Sequence, residues 1–137
     1  MDPVSNRIDA ALSPLLSTSS FSVSSSPHAV GYHQLSLGDA KGCIANWIIP
    51  APLKKLNKQE VLLWLLPENA APQGLACVES GPVRQVPARN GKPVDMRSTL
   101  ARGLLQLNFS GHWLSGYHRL RCLPEGNGQL WQLSPIS

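Results

Sequence analysis

Residues 103–123 read GLLQLNFSGHWLSGYHRLRCL. Leu105, Leu107 and Phe109 alternate with Gln106, Asn108 and Ser110, and successive side chains of an extended chain point to opposite faces. The run therefore predicts a strand with one face in a core and the other in water. A Gly-rich turn carrying His112 and Trp113 follows, and a second strand is predicted over 117–122. The turn Glu125-Gly126-Asn127-Gly128 comes next, and residues 129–133 supply one more strand.

Upstream the same logic repeats. Residues 32–37 alternate well enough for a strand, and residues 38–42, GDAKG, make a turn. Residues 43–49 return as a strand that Pro50 and Pro52 close, so the two form a hairpin. Residues 54–58 are a short basic connector. Residues 61–66 are apolar with no polar alternation, which predicts a strand covered on both faces. Short strands are predicted over 75–79 and 83–88, a turn at Asn90-Gly91 where both residues tolerate positive φ, and a helical turn over 95–102. About eight short strands joined by turns predict a mostly β domain, a small closed or partly open barrel or a strongly bent sandwich. No internal repeat is present.

At 137 residues the chain fits one domain with a single core. Its 12 prolines and 11 glycines favour many short elements over long helices. Residues 1–20 read as a flexible, Ser-rich tail and residues 21–137 as the barrel domain. Within the tail, Ile8, Leu12, Leu15 and Leu16 make a short apolar pattern that Pro14 interrupts; it buries too little to offset its ordering unless it docks on the body. No stretch approaches the roughly 18 to 20 apolar residues of a membrane span, and the amino terminus lacks the pattern of a secretory signal. Cys43, Cys77 and Cys122 are odd in number and widely spaced, which argues against a disulfide framework or a structural zinc site. Buried, reduced thiols and a cytoplasmic location are the expectation.

The net charge of +4 is unevenly placed. Arg84, Arg89, Lys92, Arg97, Arg102, Arg119 and Arg121 face a single acid, Asp95, between residues 81 and 121. Such an excess binds phosphate by displacing counterions, although a solvated face has the same composition. Trp113, Tyr117 and Trp131 lie near Arg119 and Arg121 in sequence, and aromatic-basic surfaces bind single-stranded nucleic acid by stacking plus charge. Trp47 and Trp64 are expected in the core.

Catalytic signatures are absent: there is no P-loop, dinucleotide fingerprint, nucleophile elbow or HExxH helix. His28 and His33 are the nearest approach to a metal pair. In a regular strand an offset of five puts them on opposite faces and about 17 Å apart, so they share an ion only if the chain bends at Gly31. His112 and His118 flank a turn and are expected at the surface or rim.

Three stretches in order resemble the phosphoesterase domain of bacterial end-joining DNA ligase D. Residues 21–37, FSVSSSPHAVGYHQLSL, resemble the opening strand of the form FVVQKHxAxxLHYDLRL. Residues 38–52, GDAKGCIANWIIPAP, resemble LDGVLKSWAVPKGP, with Trp47 and Pro50 in register. Residues 103–123 are similar to the closing GxLxFxLxGxxLxGxxxLVR hairpin through Gly103, Leu105, Leu107, Phe109, Gly111, Leu114, Gly116 and Leu120. The resemblance covers nearly everything after residue 20 and implies a compact β-barrel that trims 3′ ends with a divalent metal such as manganese.

It also implies where the metal ligands belong. The two histidine positions fall on Ser26 and Tyr32, the aspartate position on Gln34 and the arginine position on Ser36. Near the segment where the family has a further histidine, this chain has Pro67-Glu68-Asn69. Neutral side chains neither hold a cation nor offset charge on a transferring phosphoryl group. The expectation is a catalytically silent, phosphoesterase-like domain with no cofactor and no assigned catalytic residue. It binds nucleic-acid ends, DNA or RNA, or a bacterial DNA-repair protein, through Arg84, Arg89, Lys92, Trp113, Tyr117, Arg119 and Arg121. One alternative is a protein-interaction module without nucleic acid. The other is a divergent manganese-dependent 3′-end phosphoesterase rebuilt around His28, His33 and His118.

Overall fold

The computed structural model describes residues 19–26, 32–67, 74–86 and 95–136. They form the strands β1 (Ser20–Ser25), β2 (His33–Asp39), β3 (Gly42–Ile49), β4 (Val61–Leu65), β5 (Ala76–Gln85), β6 (Leu104–Ser110), β7 (Ser115–Cys122) and β8 (Leu130–Pro135). Among the described residues one short α-helix, α1 (Met96–Ala101), precedes β6. The strands close into an antiparallel barrel in the order β1-β2-β3-β4-β8-β7-β6-β5. Closure between β1 and β5 leaves the sheet without a terminal edge strand.

Alternation explains the core. Leu105, Leu107 and Phe109 of β6 are buried, as are Leu120 of β7 and Leu133 of β8, while their polar neighbours face outward. Phe21 meets Phe109 edge-on with ring centroids 5.1 Å apart, and Trp47 meets Trp131 at 5.6 Å. Each pairing joins strands two apart in the closed order, β1 with β6 past β5 and β3 with β8 past β4, so the rings pack on neighbouring parts of the inner wall. The barrel is filled, not hollow.

Each end is closed by a connector. Where β3 leaves and β4 enters, a 3₁₀ turn (Leu53–Lys55) buries Leu53, and Leu56 follows it into the core. At the opposite end α1 buries Met96. Asp95 caps that helix by accepting the Ser98 backbone N–H at 3.3 Å, which satisfies one of the first-turn donors. Arg97 then reaches Asp39 at the end of β2 with two hydrogen bonds of 3.1 Å.

The structure corrects five expectations. The two short strands predicted over 75–79 and 83–88 are one strand, β5. It changes partner part-way: Ala76 to Pro82 pair with β1, and Val83 to Gln85 with β6. Pro82 sits at this switch, where its missing N–H costs least. Residues 61–66 are not covered on both faces, because Leu62 is 49% and Trp64 41% exposed. Trp64 therefore points outward while Trp47 and Trp131 are core. Cys43 and Cys77 are exposed and only Cys122 is partly buried, all three as free thiols. His118, expected at the rim, is 1% exposed.

Of the expected tail, Ser20 opens β1 and residues 1–18 lie outside the described residues. The expected turn at Asn90-Gly91 lies outside them too. No helix among the described residues is long and apolar enough to cross a membrane.

Candidate nucleic-acid interface

Strand β7 carries Tyr117, Arg119 and Arg121 at every second position, so all three project to the outside while His118 and Leu120 point inward. Successive members are about 7 Å apart along the strand, a step on the scale of consecutive phosphates in an extended single strand. Cross-strand register extends this line sideways. Arg84 of β5 stands opposite Asn108, which stands opposite Tyr117. Arg119 lies between Gln106 and Ser134, and Arg121 between Leu104 and Gln132. Residues directly opposite share a face. Thus four of the seven sequence-nominated residues, Arg84, Tyr117, Arg119 and Arg121, lie on one outer wall made by β5, β6, β7 and β8.

The electrostatics of this wall follow from where the acids sit. Among the described residues the one ion pair joins Arg97 to Asp39. It holds the Asp39 carboxyl below its ordinary range, chiefly through the Arg97 hydrogen bond. The same contact raises Arg97, which takes that arginine out of the basic surface read from sequence. Glu79 is committed to backbone amides of the β6–β7 loop, and Asp95 to the α1 cap. Glu60 accepts from Gln132 Nε2 at 2.8 Å, and Gln132 Oε1 in turn accepts from Arg121 Nη2 at 3.1 Å. That relay orients the Arg121 guanidinium without neutralising it at contact distance. No carboxylate among the described residues pairs with Arg84, Arg119 or Arg121. Tyr117, 53% exposed, presents an aromatic ring among these cations.

Trp113 occupies a different position. It sits in the β6–β7 loop, 36% exposed, with its ring edge-on to His112 at 5.2 Å. Glu79 fixes the loop by accepting the backbone N–H groups of His112 (2.8 Å), Trp113 (3.1 Å) and Leu114 (2.9 Å). Asn57 adds two more bonds, accepting from the Ser115 amide and donating to the His112 carbonyl. Trp113 is thus held at the tip of the hairpin that bears the arginines. Arg89, Lys92 and His28 lie outside the described residues.

The histidines of the metal alternative are not brought together. His33 starts β2 opposite Ile49, half-buried, and its Nδ1 is buried with no hydrogen-bond partner among the described residues. His118 belongs to β7, separated from β2 by β3, β4 and β8 around the barrel. Its Nε2 lies 2.9 Å from the Leu56 carbonyl and its Nδ1 3.1 Å from that of Gly116. Each ring nitrogen faces a backbone carbonyl, of which a neutral ring donates to one, and the imidazole acts as a strut between β7 and the end-closing connector. Among the described residues no three His, Cys, Asp or Glu side chains converge on a common point.

At the positions where the resemblance places an aspartate and an arginine, Gln34 and Ser36 form a neutral cluster with Asn46. Gln34 Nε2 contacts Ser36 Oγ and Asn46 Oδ1 at 3.3 Å each, and Ser36 also donates to Asn46. Gln34 is 5% exposed and its Oε1 has no partner among the described residues. Ser26 donates its backbone N–H to the Tyr32 carbonyl at 3.2 Å, and burial raises the Tyr32 phenol. Beside the cluster an open groove of about 520 Å³ is lined by Ser20, Ser22, Ser36, Asp39, Cys43 and Ser80 among others. Its one charged lining residue, Asp39, is paired with Arg97.

Sequence reasoning missed two features. Glu79 gave no local signal, because its partners lie 33 to 35 residues away. Leu62 and Trp64 were hidden by the uniform apolar run in which they sit. No protein-family model matches the chain, and no curated protein matches it.

Proposed function

We propose that this protein is a non-catalytic, phosphoesterase-like β-barrel that binds nucleic acid along the outer wall of β5 to β8. The observation that carries the reading is the clustering of Arg84, Arg119 and Arg121 around Tyr117 on that wall, with no carboxylate in ion-pair contact among the described residues. Cations so placed neutralise phosphates and release counterions, and an exposed ring among them stacks a base. The neutral Gln34-Ser36-Asn46 cluster supports the non-catalytic part, since it offers no anionic ligand for a cation. The ligand class follows the resemblance to the phosphoesterase of end-joining ligases, whose substrates are nucleic-acid ends.

The test is binding of fluorescent single- and double-stranded DNA at low and raised salt, with and without manganese. Binding that falls steeply with salt and ignores manganese is the expected result. Absent or salt-insensitive binding overturns the proposal. Manganese-dependent release of phosphate from a 3′-phosphorylated primer replaces it with the enzyme reading.

Interaction with a protein of a repair assembly is the second reading, and one observation favours it. β4 pairs with β3 only at Trp47 and Ile48. Among the described residues, Gly42 to Ala45 therefore have a partner strand only on the β2 side. An edge of this kind accepts a strand from another chain. A partner that co-purifies after nuclease treatment supports this reading over the first.

A further inference from the structure

The outer face of β4 carries Leu62 and Trp64, 49% and 41% exposed. Register places Ile48 of β3 and Leu130 of β8 on either side of Trp64, and Gln132 beside Leu62. Ile48, Leu62, Trp64 and Leu130 thus form one apolar patch across three strands. Gln34 bounds it on the β2 side, and Gln132 with Arg121 on the β7 side. The barrel interior is already filled, so none of these side chains is needed there. A contiguous apolar patch outside a filled core marks a contact surface, because covering it gains about 25 cal/mol for each Å² removed from water.

The chain itself supplies an occupant of the right chemistry and reach. Residues 1–18 precede β1, and their large apolar residues include Val4, Ile8, Leu12, Leu15 and Leu16. Val4, Ile8 and Leu12 recur every four residues, the spacing of one helical face. Trp64 is in register, through Ile48 and Gln34, with Ser24 of β1. It therefore lies three strand spacings across from β1 and four residues along from Ser20, or about 14 Å by 13 Å, a separation of roughly 19 Å. Leu12, eight residues before Ser20, reaches about 26 Å when extended. Leu12 can sit on the patch with chain to spare. The charges agree as well: Asp2 and Asp9 outnumber Arg7 in the segment, and the cation bordering the patch is Arg121.

We propose that the segment preceding β1 folds back over β3, β4 and β8 of its own barrel and seats Leu12 and its apolar neighbours on Trp64 and Leu62. The test uses the 137-residue chain beside an Ile8→Ser, Leu12→Ser variant, footprinted with hydroxyl radicals and read by peptide mass spectrometry. Oxidation of Trp64 and Leu62 is expected to rise several-fold in the variant. Trp113, held on the distant β6–β7 loop, stays unchanged as the internal reference. A benzophenone cross-linker at position 12 is expected to label β4 within the same chain. Equal oxidation of Trp64 in both proteins overturns the proposal, as do cross-links confined to other strands. Protection of Trp64 that disappears on dilution also overturns it, and assigns the patch to a second copy of the chain.

Discussion

The carboxylate of Glu79 accepts the backbone N–H of Leu114, 35 residues away, at 2.9 Å. The same carboxylate takes the amides of His112 and Trp113, so one β5 side chain sets the geometry of the whole β6–β7 loop. Gly111 makes room for it, since a Cβ there would lie 2.5 Å from Glu79 Oε2 and 2.8 Å from the Phe21 ring. Removing the acceptor leaves three donors to find water or go unpaired. Glu79→Ala is expected to destabilise the barrel by about 1–3 kcal/mol, read as a lower urea midpoint with an unchanged slope. A stability equal to the parent's shows that the loop is held by Asn57 alone.

Arg119 and Arg121 are two steps along one strand face, so each should contact its own phosphate. For a single strand each contact contributes about 0.7 to the slope of log affinity against log salt. The Arg119→Ala, Arg121→Ala double variant is expected to flatten that slope by about 1.4 and to weaken low-salt binding roughly equally for all sequences. Titrations at several salt concentrations decide it. An unchanged slope moves the phosphate contacts off β7.

The Asp39–Arg97 contact links the β2 end to α1 and makes stability depend on pH. Asp39 has its folded-state affinity for a proton lowered by the guanidinium. Its contribution is therefore complete above the ordinary carboxylate range and disappears as pH falls through the depressed folded value. Arg97 is raised above a value already far outside neutral pH, so it adds no dependence near pH 7. The pair is solvent-accessible and hence weak. Asp39→Asn is expected to remove this increment near neutrality, and the two stability curves should converge in acid. Chemical denaturation between neutral and strongly acidic pH measures the difference; curves that stay parallel rule the contact out as a source of pH dependence.

His118 joins β7 to the connector that closes one barrel end, through the Leu56 carbonyl. A phenylalanine fills similar space and can stay edge-on to Phe109, whose ring lies 5.4 Å from the imidazole, but it donates nothing to Leu56. His118→Phe is expected to cost about 1–3 kcal/mol, and His118→Ala more because a cavity is added. Calorimetric unfolding of both variants checks the order. If Phe is neutral, packing and not the hydrogen bond is what the position requires.

Leu104 and Leu107 lie on one strand but on opposite sides of the wall, 43% and 0% exposed. Leu107→Ala is expected to cost about 2–5 kcal/mol, whereas Leu104→Ser should stay within about 0.5 kcal/mol. Equal effects at the two positions contradict the inside-outside assignment of β6.

The candidate wall is partly legible in the amino-acid sequence. Tyr117, Arg119 and Arg121 share parity in a strand, which places them together whatever the fold. Arg84 joins them only because β5 pairs with β6, and Arg97 leaves the set only because α1 brings it to Asp39. Neither event has a signal near the residue concerned.

The amino-acid sequence by itself determined which stretches extend and which face of β6 and β7 meets a core, because the pleat's alternation is a local property of consecutive residues. It also set the turns at residues 38–42 and 125–128 and the helical turn after Asp95, which rest on neighbouring backbone groups. Tertiary structure decided the rest: that β5 is one strand serving two partners, that Trp64 faces outward, that His118 is an internal strut and that Glu79 holds a distant loop. In residues 61–66 every side chain is apolar, so the alternation that reveals a solvent face is silent there. Closure of the barrel, which pairs β4 with β8 across most of the chain, settled which of those side chains were left outside.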